Sequence, residues 1–154
     1  ELVSKLCAPR QVEIPVFDWL ATMLDLLDRD GASAERLRVF ELGLLGRLGF
    51  GPMVATCAAC GGERSGPGAI DYRWDPDRGG VICAACGRVG RPIREIVRTA
   101  LVRLAGTPLA DATAEALSPD VNRGCREALL EIVKQHITGP LHSLEFIAKL
   151  GGHP

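Results

Sequence analysis

Two Cys-x-x-Cys pairs, Cys57/Cys60 and Cys83/Cys86, constrain this chain more than any other feature. Twenty-two residues separate the inner cysteines. Two knuckles of this form, brought together across a short hairpin, set four thiolates at the corners of a tetrahedron, the geometry of a structural zinc site. Gly61-Gly62 and Gly87 follow the knuckles. Glycine there lets the backbone turn tightly and aim amides at the sulfurs, spreading their negative charge. Four thiolates close the coordination shell, so the expected role of Cys57, Cys60, Cys83 and Cys86 is structural and not catalytic. Iron held by four thiolates follows the same spacing logic, and zinc and iron stay open on these residues alone. Two disulfides would suit a secreted chain, but no signal-peptide pattern is present. A redox dithiol needs only one pair in a strand-to-helix setting.

The segment between the knuckles changes period. Ile70 to Trp74 has strand chemistry, Asp75 to Gly80 reads as a turn, and Val81-Ile82 leads into the second knuckle. A hairpin this short cannot bury enough surface to stand alone. Metal binding contributes roughly 10–16 kcal/mol in small zinc modules, enough to fold such a segment. The module is expected over residues 54–90.

Around it the pattern is helical. Val3 and Leu6 open a short helix, broken by Pro9 and Pro15; Val16, Phe17, Leu20, Leu24 and Leu27 then recur at helical spacing. Asp28 to Gly31 reads as a polar turn and Ser33 as the N-cap of a helix. That helix carries Leu37, Phe40, Leu44, Leu45 and Leu48 on one stripe, with Arg36 and Arg47 off it and Gly49 just past its end. Gly43 and Gly46 inside it each cost about 1 kcal/mol relative to alanine, which points to a neighbour packed against the backbone. Pro92 is expected to open the next helix, with Ile93, Ile96, Val97, Ala100, Leu101 and Leu104 facing the core. At about 100° per residue this places Arg91, Arg94 and Arg98 together on another side. Residues 109–117 read as a short helix. Ser118-Pro119 caps a long one bearing Val121, Cys125, Leu129, Ile132, Val133 and Ile137, and Ser143 a last short one. The expected fold is mainly α, a helical bundle with an inserted four-cysteine zinc-ribbon-like β-hairpin.

Charge is uneven. The 154 residues carry a net −1, which excludes a global basic field. Residues 64–103 nevertheless hold eight basic against four acidic groups. Arg73, Arg78, Arg88, Arg91, Arg94 and Arg98 therefore form a candidate phosphate-binding set, sequence-blind and salt-dependent. Tyr72 and Trp74 are candidates for stacking on bases, though covering the hairpin's inner face is the stronger expectation for Trp74. No apolar run is long enough to cross a bilayer. Cys7 and Cys125 lie in apolar helical patterns and read as buried thiols, and cysteine usage as a whole suits a reducing cytosol. His136 falls near an apolar stripe, His142 and His153 in turn and tail, none with a carboxylate or nucleophile at catalytic spacing. A non-enzymatic role follows.

The run Phe40 to Pro52, feeding into Cys57-Ala58-Ala59-Cys60-Gly61, resembles the helix-to-knuckle passage of the bacterial recombination mediator RecO family. Gly79 to Cys83 is similar to that family's return strand, and Leu130 to Leu150, with Gly139-Pro140-Leu141-His142-Ser143, to its closing helices. The resemblance implies a zinc-bearing helical domain that in the family follows an N-terminal OB-fold barrel. It also implies a DNA repair and homologous-recombination mediator of the bacterial cytoplasm and nucleoid. Such a protein binds single- and double-stranded DNA, anneals strands and works with RecR to load RecA. It engages the acidic, hydrophobic tail of the single-stranded DNA-binding protein. The residues here start where that helical domain would be under way. Without the barrel, DNA binding is expected to be weak. A general zinc-ribbon interaction module of transcription or translation is the rival expectation.

Overall fold

The computed structural model describes residues 1–7, 13–62, 72–112 and 117–143. The expected break at Pro9, the expected strand positions Ile70 and Asp71, residues 113–116 of the helix expected over 109–117, and the last short helix beyond Ser143 lie outside them. Five helices are described: α1 (Leu2–Leu6), α2 (Ile14–Asp30), α3 (Ala34–Arg47), α4 (Glu95–Ala105) and α5 (Pro119–His136). Three short strands, β1 (Arg73–Asp75), β2 (Gly80–Ile82) and β3 (Arg91–Pro92), form an antiparallel sheet in the order β2-β1-β3. The protein is thus mainly helical, with a small sheet carrying the cysteines.

α3 is the central helix, packed against α2, α4 and α5. Ser33 caps it, its hydroxyl accepting from the Arg36 amide at 3.1 Å. It ends in a Schellman motif: Gly49, in the left-handed region, donates to the Gly46 carbonyl and Phe50 to that of Leu45. Gly43 has the close neighbour its helix position implied. A Cβ there would run into the Trp19 indole, which is held on both sides. Its Nε1 donates to the Phe40 carbonyl at 3.0 Å, and the Arg47 guanidinium lies 3.7 Å over the ring. At Gly46 the expected neighbour is not there: an added Cβ would meet nothing within 4 Å, and it is a Cβ on Gly51 that would come within 3.1 Å of Gly46 Cα. A third close approach, Gly124 of α5 against Val97 of α4, gave no sign in the periodicity.

Several helical expectations need correction. Phe17 and Leu24 are 70% and 55% exposed; α2 instead buries Val16, Met23 and Leu26. α2 carries one polar stripe, Asp18, Thr22, Asp25 and Arg29, but the apolar remainder is wider than the buried face, so spacing alone does not select which part is buried. Asp28 to Asp30 form its last turn, and the break comes at Gly31. Arg36, expected to face away from the core, is buried. Its Nη1 donates to the carbonyls of Gly31 (2.9 Å) and Leu26 (3.4 Å), tying the start of α3 to the end of α2. Leu37 is partly exposed at a groove, and Ile96 is 60% exposed on the flank of α4. Among the described residues of the stretch after α4, Leu109–Asp111 form a 3₁₀ turn and not an α-helix.

Pro92 does not open a helix. Arg91–Pro92 pairs with Arg73–Trp74 as a third strand, and α4 begins at Glu95. The free edge of β1 takes up the chain as it leaves the second knuckle. Proline, lacking an N–H, is tolerated at such an edge. On the other side, β2 meets Met53 in a parallel bridge: Met53 donates to Gly79 and Val81 to Met53, both at 2.8 Å. A Cβ on Gly80 would overlap the Met53 carbonyl, so only glycine lets these backbones close. Trp74, Val81 and Ile82 are fully buried and belong to one continuous core with Leu44, Leu101 and Leu129. The ribbon is part of the main core, not an appendage.

Candidate metal centre

The two knuckles are set by backbone hydrogen bonds. Gly61 donates to the Cys57 carbonyl (2.8 Å) and Cys86 to that of Cys83 (2.9 Å), while the Ala58 amide reaches the Val81 carbonyl of β2 at 2.8 Å. These bonds bring Cys57, Cys60, Cys83 and Cys86 together with their sulfurs all within 4.8 Å of one another. Cys60 and Cys83, from different knuckles, have Sγ atoms 4.0 Å apart. A tetrahedral four-thiolate ion with bonds of about 2.3 Å needs sulfurs about 3.8 Å apart. The residues therefore fit one metal ion, and their sulfur set suits zinc or iron.

The electrostatics ask for a cation. Burial pushes the Cys57 thiol up, but amides of Cys83, Ala59 and Cys60 outweigh it and bring the group down to about 6. The Cys83 amide lies 3.3 Å from Cys57 Sγ. Cys86, hydrogen-bonded to Cys60 and Cys83 and facing the charge on Cys57, is pushed up to about 12. A charge on Cys57 thus opposes ionisation of Cys86. A dication removes that restriction, since a coordinated thiol is deprotonated outright. Cys57 and Cys83 are buried, Cys86 half-buried and Cys60 exposed. All six cysteines are free thiols. Cys125 is buried as expected, and burial pushes its thiol up to about 11. Cys7 is only half-buried, its thiol also raised, by burial and by Glu13.

The arginines expected to bind phosphate are scattered over several elements and mostly engaged. Arg73 on β1 donates from Nε (2.9 Å) and Nη2 to the Gly90 carbonyl. Arg91 on β3 binds Glu131 of α5 at 2.9 Å, and Arg94, the N-cap of α4, binds Asp120 at 2.6 Å. Arg98 grips Glu95 at 2.7 Å, reaches the Val54 carbonyl at 3.2 Å and covers the Tyr72 ring at 4.7 Å. Because β3 intervenes, Arg91, Arg94 and Arg98 do not share one helix face. Arg78 sits in the turn after β1, 3.7 Å from Asp75, and Arg88 is exposed beyond the second knuckle. Tyr72 and Trp74 are both buried, so neither offers a face to a base. His136 is exposed, its ring stacked 3.8 Å from that of Phe50.

Sequence reasoning missed a second feature. Between α3 and α5 lies a cavity of about 540 Å³, lined mainly by apolar side chains such as Leu37, Phe40, Leu129 and Leu130. Arg38, 4% exposed, and Arg126 also line it. Arg38 Nη1 lies 3.0 Å from Glu41 Oε2, yet without hydrogen-bond alignment. Arg38 Nε and Nη1, Glu41 Oε2 and Asn122 Oδ1 have no hydrogen-bond partner among the described residues. α3 carries five charged residues, Glu35, Arg36, Arg38, Glu41 and Arg47, and nothing in their spacing set Arg38 and Glu41 apart as cavity-lining.

Among the described residues no helix is long and apolar enough to cross a membrane. Residues 1–145 match the family described as Recombination protein O C terminal. A DNA repair protein RecO of Anaeromyxobacter sp. (strain Fw109-5) is 35% identical over 155 residues, which cover 98% of this chain and 59% of that protein. The DNA repair protein RecO of Geobacter sulfurreducens is 35% identical over 97% of the chain and 60% of its own length. That of Myxococcus xanthus is 30% identical over 98% and 59%. The chain thus spans about three fifths of the length of the curated relatives it matches. A helical body built on α3, four converging thiols and a match over nearly every residue give one conclusion: the chain belongs to the RecO family, in the part that family's C-terminal domain occupies.

Proposed function

We propose that this chain is the zinc-bearing helical domain of a DNA repair and homologous-recombination mediator, and that its work is docking rather than chemistry. The RecO match across residues 1–145 carries this reading and favours it over a general zinc-ribbon module. The ion is zinc; Cys57, Cys60, Cys83 and Cys86 hold it and fasten the ribbon to the bundle. RecR and the acidic, hydrophobic tail of the single-stranded DNA-binding protein are the partners, in support of strand annealing and RecA loading in the bacterial cytoplasm.

The cavity between α3 and α5 suits the tail. Apolar walls accept its hydrophobic end, and Arg38 and Arg126 supply cations for its carboxylates. Buried donors without hydrogen-bond partners make the complementarity one of charge as well as shape. Fluorescence anisotropy with the labelled tail peptide tests this. Arg126→Ala is expected to weaken binding about tenfold or more, as loss of a charged hydrogen bond of about 1.5–3 kcal/mol implies. Unchanged affinity would remove the cavity as the docking site. Pull-down with RecR tests the second partner.

DNA contact is auxiliary. Most of the set Arg73, Arg78, Arg88, Arg91, Arg94 and Arg98 is tied to carboxylates or carbonyls, which leaves Arg78 and Arg88 as the best placed for phosphates. Released counterions are then few. The slope of log affinity against log salt should lie near −2 for duplex DNA, at about 0.9 per phosphate. Arg78→Glu with Arg88→Glu should flatten it further; a slope of −5 or steeper in the wild type would contradict this assignment.

A further inference from the structure

We infer that Glu41 competes with the docking anion for Arg38: when a peptide carboxylate enters the cavity between α3 and α5, Glu41 takes up a proton and yields the guanidinium. The inference rests on the docking reading above. It starts from geometry. Glu41 and Arg38 lie one turn apart on α3 and both line the cavity. Their 3.0 Å ion pair lacks hydrogen-bond alignment, so Glu41 Oε2 gains Coulomb attraction without a proton donor aimed at it.

The surroundings are short of compensating charge. From α5 come Arg126, the neutral Cys125 thiol and the Asn122 amide. From the two chain ends come Leu2, Leu141 and Ser143, with the Glu1 carboxylate already bound to the His142 and Ser143 amides. Burial pushes the Glu41 carboxyl up to about 7, against the opposing pull of Arg38 and Arg126. An incoming carboxylate adds like charge within a few ångströms and divides the attraction of both arginines. Both effects raise the Glu41 pKa further.

The sign follows. Complex formation favours protonated Glu41, so binding draws in a proton above the free group's pKa and weakens as pH rises. The proton comes from solvent and moves to a carboxylate oxygen of Glu41; no bond to the peptide is made. Acidic peptide side chains are already ionised above pH 6 and contribute nothing to this dependence.

Isothermal titration calorimetry of the N-acetylated tail peptide, in phosphate and in Tris buffers between pH 7 and pH 8.5, tests the idea. We expect buffer-dependent heats that report uptake of about one proton per peptide at the upper end. The dissociation constant should rise roughly tenfold across that range, as linkage to a group near pH 7 requires. In Glu41→Gln the dissociation constant should become flat and the proton uptake should vanish. The buffer comparison needs only the wild-type protein, so the idea stays testable if the variant folds poorly. Binding with the same heat in both buffers and a constant dissociation constant overturns this inference alone. No binding at any pH overturns the docking reading with it.

Discussion

Replacing Cys57 by serine is expected to abolish tight metal binding and unfold the sheet, while α2, α3 and α5 keep most of their helix. Cys57 Sγ is the buried sulfur that receives the Cys83 amide and binds the two knuckles into one shell. A serine hydroxyl is a poor ligand for a sulfur-preferring ion. Its loss forfeits much of the roughly 10–16 kcal/mol that metal contributes to modules of this size. Strands of two and three residues cannot offset that. The ribbon shares its core with the bundle, so the melting temperature should fall by well over 10 °C. Trp74 fluorescence should shift to the red, and bound zinc should drop from about one per chain towards zero. Cys125→Ser serves as the control. It also buries a hydroxyl but lies outside the shell, its thiol directed at the Val97 carbonyl 3.9 Å away, and should keep its metal. A Cys57→Ser protein with full zinc and an unchanged melting temperature would contradict the account.

The second large effect is at Trp74. This side chain is fully buried at the centre of the sheet, where it pairs with Val81 on one side and Arg91 on the other. Trp74→Ala opens a cavity in the shared core and should cost about 3–5 kcal/mol by urea denaturation. Trp74→Phe should be far milder. The indole Nε1 is buried without a hydrogen-bond partner among the described residues, so deleting it removes an unsatisfied donor and offsets part of the lost volume. A ratio near one between the two costs would mean that the ring's bulk does not hold the ribbon against the bundle.

Much of this was legible in the residues. The thiol cluster needed only spacing, because ligand chemistry leaves few other uses for two such pairs. Ser33, Ser118 and Gly49 announced helix ends because their side chains, or the lack of one, satisfy local backbone groups. Gly43 announced its close neighbour through the energetic cost of glycine in a helix. What failed to show depended on distant contacts. Pro92 looked like a helix opener because its ring fits both a first turn and a sheet edge, and only the free edge of β1 decides between them. Phe17 and Leu24 looked like core because the apolar part of α2 is wider than the face that its neighbours cover.

The arginines show the same limit from the other side. Composition gathered Arg91, Arg94 and Arg98 into one basic region, but Glu131, Asp120 and Glu95 meet them in the fold. Arg38, which no pattern singled out, is the converse case: a charged residue on a helix usually points to water, and here it is buried and lines a cavity. Net charge along a sequence says nothing about which charges pair, and burial of a cation becomes visible only once α5 packs on α3.

Native mass spectrometry of the purified chain, with metal analysis of the same sample, bears most directly on the claim that an ion held by four sulfurs fastens the ribbon to the bundle. One zinc per folded chain is expected, with its removal by a chelator shifting the charge-state distribution to that of a partly unfolded protein. A compact, fully folded chain free of any metal would contradict it.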